Sequence, residues 1–140
     1  MSDKVRMARQ FIQALPHSEA LGMTLEELED GMAVISMPYD ARFVGDPQTG
    51  VIHGGAVSAL MDTTCGAAVM SHPTSPSSTA TMDLRIEYLR AATPGQAIRT
   101  KATCYHVTRS VAFVRATACD DDSDNPVATA TGTFMVEGHK

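Results

Sequence analysis

No apolar run in the sequence approaches the roughly 18 residues needed to cross a bilayer, and the opening MSDKVRMARQ lacks the apolar stretch of a secretory signal. A membrane-spanning helix is excluded on these grounds, and the expectation is a soluble protein that stays in the cytoplasm. Cysteine is scarce: Cys65, Cys104 and Cys119 are odd in number and form no CxxC pair, which excludes a disulfide framework and a cysteine zinc site. Each is expected to act as a small buried hydrophobe. Basic residues are a minority, and a net charge of −5 argues against a nucleic-acid partner, which calls for a basic face. There is no GxSxG nucleophile elbow and no phosphate-binding Walker sequence, and His17, His72, His106 and His139 have no ligand spacing. The acidic run Asp120, Asp121, Asp122, Asp124 lacks the glycine and terminal Glu of a calcium loop. It reads as solvated charge on a hairpin. No metal and no cofactor are expected.

What is present suits one compact fold. A hydrophobic content of 44% against 19% charged is far from the composition of disordered chains, and 140 residues predict a single domain over 1–140. Val5, Ala8, Phe11 and Ile12 recur at helical spacing and Pro16 ends the pattern, giving an N-terminal helix within 1–16. Met23–Glu29 and Met32–Met37 flank the turn dipeptide Asp30-Gly31 and read as a β-hairpin. Residues 39–52 carry Gly45, Pro47 and Gly50 without a sustained period and read as a long loop. Residues 54–72 are small and apolar on nearly every side, which suits a central helix wrapped by other elements. From Thr79 the period becomes two, with Met82, Leu84, Ile86 and Tyr88 on one face. Strand-like stretches near 97–107, 110–119 and 127–136 follow as a meander. An early buried helix followed by antiparallel strands gives an α+β layout, the helix packed on one face of the sheet.

The chemistry concentrates in VIHGG and the helix behind it. Gly54 and Gly55 at a helix start let a carbonyl or anion approach the positive end of the helix dipole, an arrangement suited to an oxyanion, although simple turn geometry also accounts for a glycine pair. Asp62 sits among apolar and small neighbours, where a carboxylate costs several kcal/mol unless it is paired. It is either a working carboxylate or an acceptor for a neighbouring loop. Eight residues separate Gly54 from Asp62, roughly 12 Å along one helix, too far to act on one carbonyl. A shared site therefore needs Gly54 of one subunit and Asp62 of another across a two-fold axis.

The segments VIHGGAVSALMD, TATMDLRIEYLRAATPG, VTRSVAFV and ATATGTFMV together resemble the hotdog-fold acyl-CoA thioesterases of the phenylacetyl-CoA and 4-hydroxybenzoyl-CoA type, over about Gly22 to Val136. The resemblance implies a hotdog fold, an antiparallel sheet wrapped around the central helix. It implies hydrolysis of an aromatic or medium-chain acyl-CoA by a homodimer, assembled further as a dimer of dimers. In that family pattern the Gly54 N–H binds the thioester oxygen and Asp62 acts as general base or nucleophile. His53 borders the thioester and Thr81 helps hold the water. Many relatives carry Asn or Gln six residues before the HGG histidine, where this chain has Pro47; Gln48 beside it is the candidate substitute. Between Arg85 and Arg115 lie six basic residues and one acidic one, so Arg90, Arg109 and Arg115 are candidates for the CoA phosphates. Phe43, Val57, Met61 and Met70 are candidates for the acyl pocket. The alternatives are a hotdog enoyl-thioester hydratase, whose paired Asp and His this chain does not show, and a non-catalytic acyl-CoA-binding protein.

Overall fold

A computed structural model describes residues 3–138; His139 and the first two residues of the expected N-terminal helix lie outside them. The elements run in the order α1 (Asp3–Ala14), α2 (Pro16–Ala20), β1 (Thr24–Glu29), β2 (Met32–Met37), β3 (Val44–Asp46), β4 (Val51–Ile52), α3 (Gly54–Met70), β5 (Ser78–Tyr88), β6 (Ile98–Val107), β7 (Val111–Cys119) and β8 (Ala128–Glu137). Six strands form one antiparallel sheet in the order β1-β2-β6-β7-β8-β5, and α3 lies across one face of it. This is the expected α+β hotdog arrangement. The meander β6-β7-β8 follows the chain, whereas β5 takes the free edge beside β8 rather than joining β6.

Three of these elements, α2, β3 and β4, are not evident in the sequence. Proline cannot continue a helix but suits the first turn of a new one, and Pro16 opens α2 rather than ending helical structure. The 39–52 loop contains a short β3-β4 ladder, closed by a turn in which Asp46 accepts from the Gln48 N–H and the Thr49 hydroxyl. The hairpin turn at Asp30-Gly31 forms as expected, with Gly31 at φ +71°, a conformation that favours glycine.

The core follows from alternation. On β7, Ala112, Val114, Ala116 and Ala118 are buried, and on β8 Ala128, Ala130, Phe134 and Val136 are. So many alanines on the inner face let α3 lie close to the sheet. Toward it α3 turns Val57, Leu60, Met61, Thr64, Cys65, Ala68 and Val69. Its opposite flank, Ser58, Ala59, Asp62, Thr63, Gly66 and Ala67, is only half-buried and Met70 is exposed. The sheet covers one side of the helix and the other is half-buried, and this apolar second side explains why the sequence lacks a polar stripe.

A β-bulge interrupts β5. Thr81 pairs with Phe134 and Asp83 with Thr133, leaving Met82 extra. A bulge shifts the alternation by one residue, so Thr79 and Thr81 share the inner face with Leu84, Ile86 and Tyr88. The uninterrupted alternation read from sequence placed Met82 on that face; it is instead 60% exposed. Gly132 opposite makes the bulge possible, because a Cβ there would lie 2.5 Å from the Asp83 carbonyl oxygen and 2.9 Å from Leu84 Cδ1. We expect Gly132→Ala to cost about 1–3 kcal/mol, read as a lowered midpoint in chemical denaturation; an unchanged midpoint would mean the bulge relaxes freely.

Candidate functional site

The N-terminus of α3 is built by its own histidine. His53 is extended at φ −60°, ψ 134°, and its Nδ1 accepts the Gly55 N–H at 2.8 Å, which makes it the N-cap and places the ring proton of the neutral form on Nε2. Space for this cap comes from two glycines. A Cβ on Gly55 would meet His53 Nδ1 at 2.9 Å, and one on Gly45, in β3, would meet His53 Cα at 2.9 Å. The Gly54 N–H is one of the first-turn donors that have no acceptor inside a helix. Tyr88 packs on the same residue elsewhere: the hydroxyl donates to the Gly54 carbonyl at 2.8 Å, and the ring stands 3.5 Å from where a Gly54 Cβ would be.

Two turns along α3, on the half-open flank, Asp62 Oδ1 accepts a 2.6 Å hydrogen bond from the Thr81 hydroxyl. The bulge is what aims Thr81 inward. One carboxylate oxygen is held, and Oδ2 accepts no hydrogen bond among the described residues. Cys65, one turn further, is fully buried. Burial, then the nearby Asp62 charge, then Cys104 push its thiol up to about 12, so it stays protonated and is no nucleophile.

The structure brings together Asp62 with Thr81, and His53 with Gly54, Gly55 and Phe43, which is buried but walls a hollow beside His53. It does not bring the others to them. Gln48 is at the exposed tip of the Asp46–Gly50 turn and is not among the residues lining that hollow. Val57 and Met61, at 2% and 0% exposure, are core: their position on the sheet-facing side of α3 removes them from an open acyl pocket, though Val57 touches a groove under Tyr88. Arg90 is committed elsewhere, its Nη1 and Nη2 groups donating to both oxygens of buried Asp120 at 2.7 and 2.6 Å. That also corrects the reading of the acidic run as solvated charge. Arg115 alternates with the buried residues of β7 and so faces away from α3, its guanidinium 4.1 Å from the centre of the Tyr105 ring. Arg109 lies in the β6–β7 turn. Sequence reasoning missed Tyr88 and Gly45. Tyr88 carries a signal, its place on the one apolar face of β5, but nothing local to it points to Gly54.

Known proteins resemble this one along nearly its whole length. The sequence profile of the thioesterase superfamily matches residues 49–127. The medium/long-chain acyl-CoA thioesterase YigI of Salmonella typhimurium is 29% identical, the match covering 90% of this chain and 88% of that one. A crystal structure of a Pseudomonas aeruginosa protein superposes with a TM-score of 0.82 at 39% identity, covering 94% of this chain and 97% of that one. A mutant of the phenylacetic acid degradation protein PaaI from Thermus thermophilus superposes with a TM-score of 0.75 at 27% identity, covering 86% and 97%.

Proposed function

The chain belongs to the thioesterase superfamily, and from that membership we propose that it hydrolyses an acyl-CoA thioester to the free acid and CoA. The observation that carries this reading is Asp62, held at Oδ1 by Thr81 on the accessible flank of a helix that begins with an open Gly54 N–H. Water adds to the thioester carbonyl as Asp62 Oδ2 accepts its proton; the oxyanion is held by the Gly54 N–H and the positive end of α3. Collapse of the tetrahedral species breaks the C–S bond, and the sulfur takes up the proton. Direct attack by Asp62, through an anhydride that water then cleaves, uses the same atoms.

Because Gly54 and Asp62 are separated along one helix, the working unit in this proposal is a homodimer in which each thioester lies between Gly54 of one subunit and Asp62 of the other, and two such dimers associate. Two features support it. The flank of α3 bearing Asp62 is only half-buried, and β5 is an eleven-residue edge strand of the kind that pairs with another chain. His53 borders the thioester, and Arg109 is the remaining arginine candidate for the CoA phosphates. No helix among the described residues is long and apolar enough to cross a membrane, and we place the enzyme in the cytoplasm.

The test is thiol release from short, medium, long and aromatic acyl-CoAs. Turnover of at least one supports the reading; acyl-CoA binding without release of thiol from any would instead make this a binding protein. Removing the Thr81 hydroxyl should matter at the chemical step. Thr81→Val is expected to lower kcat about tenfold, the rate equivalent of one hydrogen bond to a charged group, and Thr81→Ser to restore it. A loss in the valine variant confined to KM would place Thr81 in binding instead.

A further inference from the structure

Two glycines begin α3, and glycine is the residue least able to hold its own backbone in one conformation. The proposed oxyanion donor, the Gly54 N–H, nevertheless has to point in one direction. The next three N–H groups of the helix are taken. Gly55 donates to His53 Nδ1 at 2.8 Å, and Ala56 and Val57 donate to the His53 carbonyl at 3.0 and 3.5 Å. The Gly54 N–H alone among these four has no acceptor among the described residues. A stiffer residue at position 55 is barred, since its Cβ would lie 2.9 Å from His53 Nδ1. What steadies this turn therefore has to come from outside it.

Two anchors do so. On one side the His53 N–H donates to the Phe43 carbonyl at 2.8 Å. On the other, the peptide joining Gly54 to Gly55 is gripped at both ends, its N–H by His53 Nδ1 and its carbonyl by the Tyr88 hydroxyl, each at 2.8 Å. The peptide that carries the Gly54 N–H lies between these anchors, so its orientation follows from theirs. A hydroxyl bonded to a carbonyl also polarises the amide and makes its N–H a stronger donor. That fastens the His53 ring and keeps Nε2–H as its free donor.

Tyr88 is mounted for such a task. It is the last residue of β5, paired with Ala128 on β8, and the next N–H, that of Leu89, donates to the Val127 carbonyl at 2.8 Å. Its side chain is 50% exposed, so burial does not account for it. Phenylalanine would make the same ring contact; only the hydroxyl reaches the peptide.

We propose that Tyr88 is a positioning residue for the hydrolysis, acting through the Gly54–Gly55 peptide to aim the Gly54 N–H at the thioester oxygen and to hold His53. The proposal rests on the thioesterase reading and adds to it a side chain that acts only through the backbone of α3. A preorganised donor favours the developing oxyanion over the ground-state carbonyl, so the effect belongs in kcat.

The test uses Tyr88→Phe in the full chain. kcat should fall about fivefold, the rate equivalent of one neutral hydrogen bond, with KM and Tm unchanged. 4-Aminophenylalanine at position 88, which returns an N–H donor to the same ring, should recover most of the loss. Two NMR readouts need no turnover. In Tyr88→Phe, amide hydrogen exchange at Gly55 should quicken by a similar factor while β6 and β7 keep their protection, and the ¹⁵N shifts of the neutral His53 ring should move away from a single Nε2–H tautomer. A merely structural role would instead lower Tm and quicken exchange throughout. Unchanged kcat in Tyr88→Phe, or a loss confined to KM, overturns the proposal and leaves the thioesterase reading intact. Absence of thiol release from the wild type sinks the thioesterase reading and with it any role in hydrolysis; faster Gly55 exchange would then keep the clamp alone, and unchanged exchange would remove that too.

Discussion

Asp62→Ala is expected to lower kcat/KM for every acyl-CoA the enzyme hydrolyses by two orders of magnitude or more, while the protein stays folded. The two halves of that result have separate physical origins. Asp62 is on the half-buried flank of α3 and its side chain bonds only to β5, through the Thr81 hydroxyl. Truncating it leaves no buried charge behind, and alanine favours a helix, so the denaturation midpoint should hardly move. The chemical step, by contrast, loses the group that receives the proton from water. Asp62→Asn sharpens the test: the amide oxygen still accepts from Thr81, yet the side chain no longer takes up a proton. A loss as deep as that of the alanine variant assigns the effect to basicity or nucleophilicity, whereas near-normal turnover would reduce Asp62 to a positioning group. Single turnover in ¹⁸O-water separates the two remaining routes. Water activated by a general base carries the label into the released acid, while cleavage of an anhydride at its Asp62 carbonyl leaves the label on the protein.

The largest effect on stability is expected at Arg90. Its guanidinium and Asp120 form a bidentate pair in which the carboxylate side chain is 0% exposed and the arginine 28%, and the same carboxylate accepts the backbone N–H groups of Thr93 and Asp122. Arg90→Ala leaves that charge buried without its counter-ion and should cost about 3 kcal/mol, lowering Tm by roughly 10 °C in a chain of this size. Arg90→Lys, which loses the fork geometry, should fall between. Had Arg90 served the CoA phosphates, the alanine variant would raise KM and leave Tm in place. The Arg90 hydrogen bonds foremost, then the backbone donors, hold the Asp120 carboxyl well below the usual carboxylate range, with burial opposing them. A carboxyl lowered in the folded state stabilises the fold at every pH above its unfolded value of about 3.9 and loses that contribution as the pH falls below it. Acid unfolding of the wild type should therefore be resisted down to lower pH than that of Asp120→Asn.

Most elements were legible because their signals are local. Apolar spacing over residues 3–14, the Asp30-Gly31 turn and the alternation in residues 97–136 each report a few neighbouring residues. The glycine pair at positions 54 and 55, with Asp62 at a fixed distance along α3, marks the candidate site for the same reason. What was not legible depends on contacts between distant segments. Nothing near Arg90 announces Asp120, thirty residues away, and a run of four aspartates reads as solvated charge until one of them is seen under a guanidinium. Val57 and Met61 are as apolar as any pocket residue, and only the side of α3 that meets the sheet shows them to be core.

The extra residue at Met82 makes β5 two half-strands in opposite phase. The half from Leu84 to Tyr88 is tied to the core, while the half carrying Thr79 and Thr81 faces Asp62. Deleting Met82 would join the halves in a regular ladder, with Thr81 still opposite Phe134 and Asp83 opposite Thr133. Flattening the bulge with Met82 retained would instead set Met82 opposite Phe134 and turn both threonines toward solvent. The orientation of Thr81 is thus a property of the register and of the space left at Gly132, so a change on β8 can reach Asp62 without touching it.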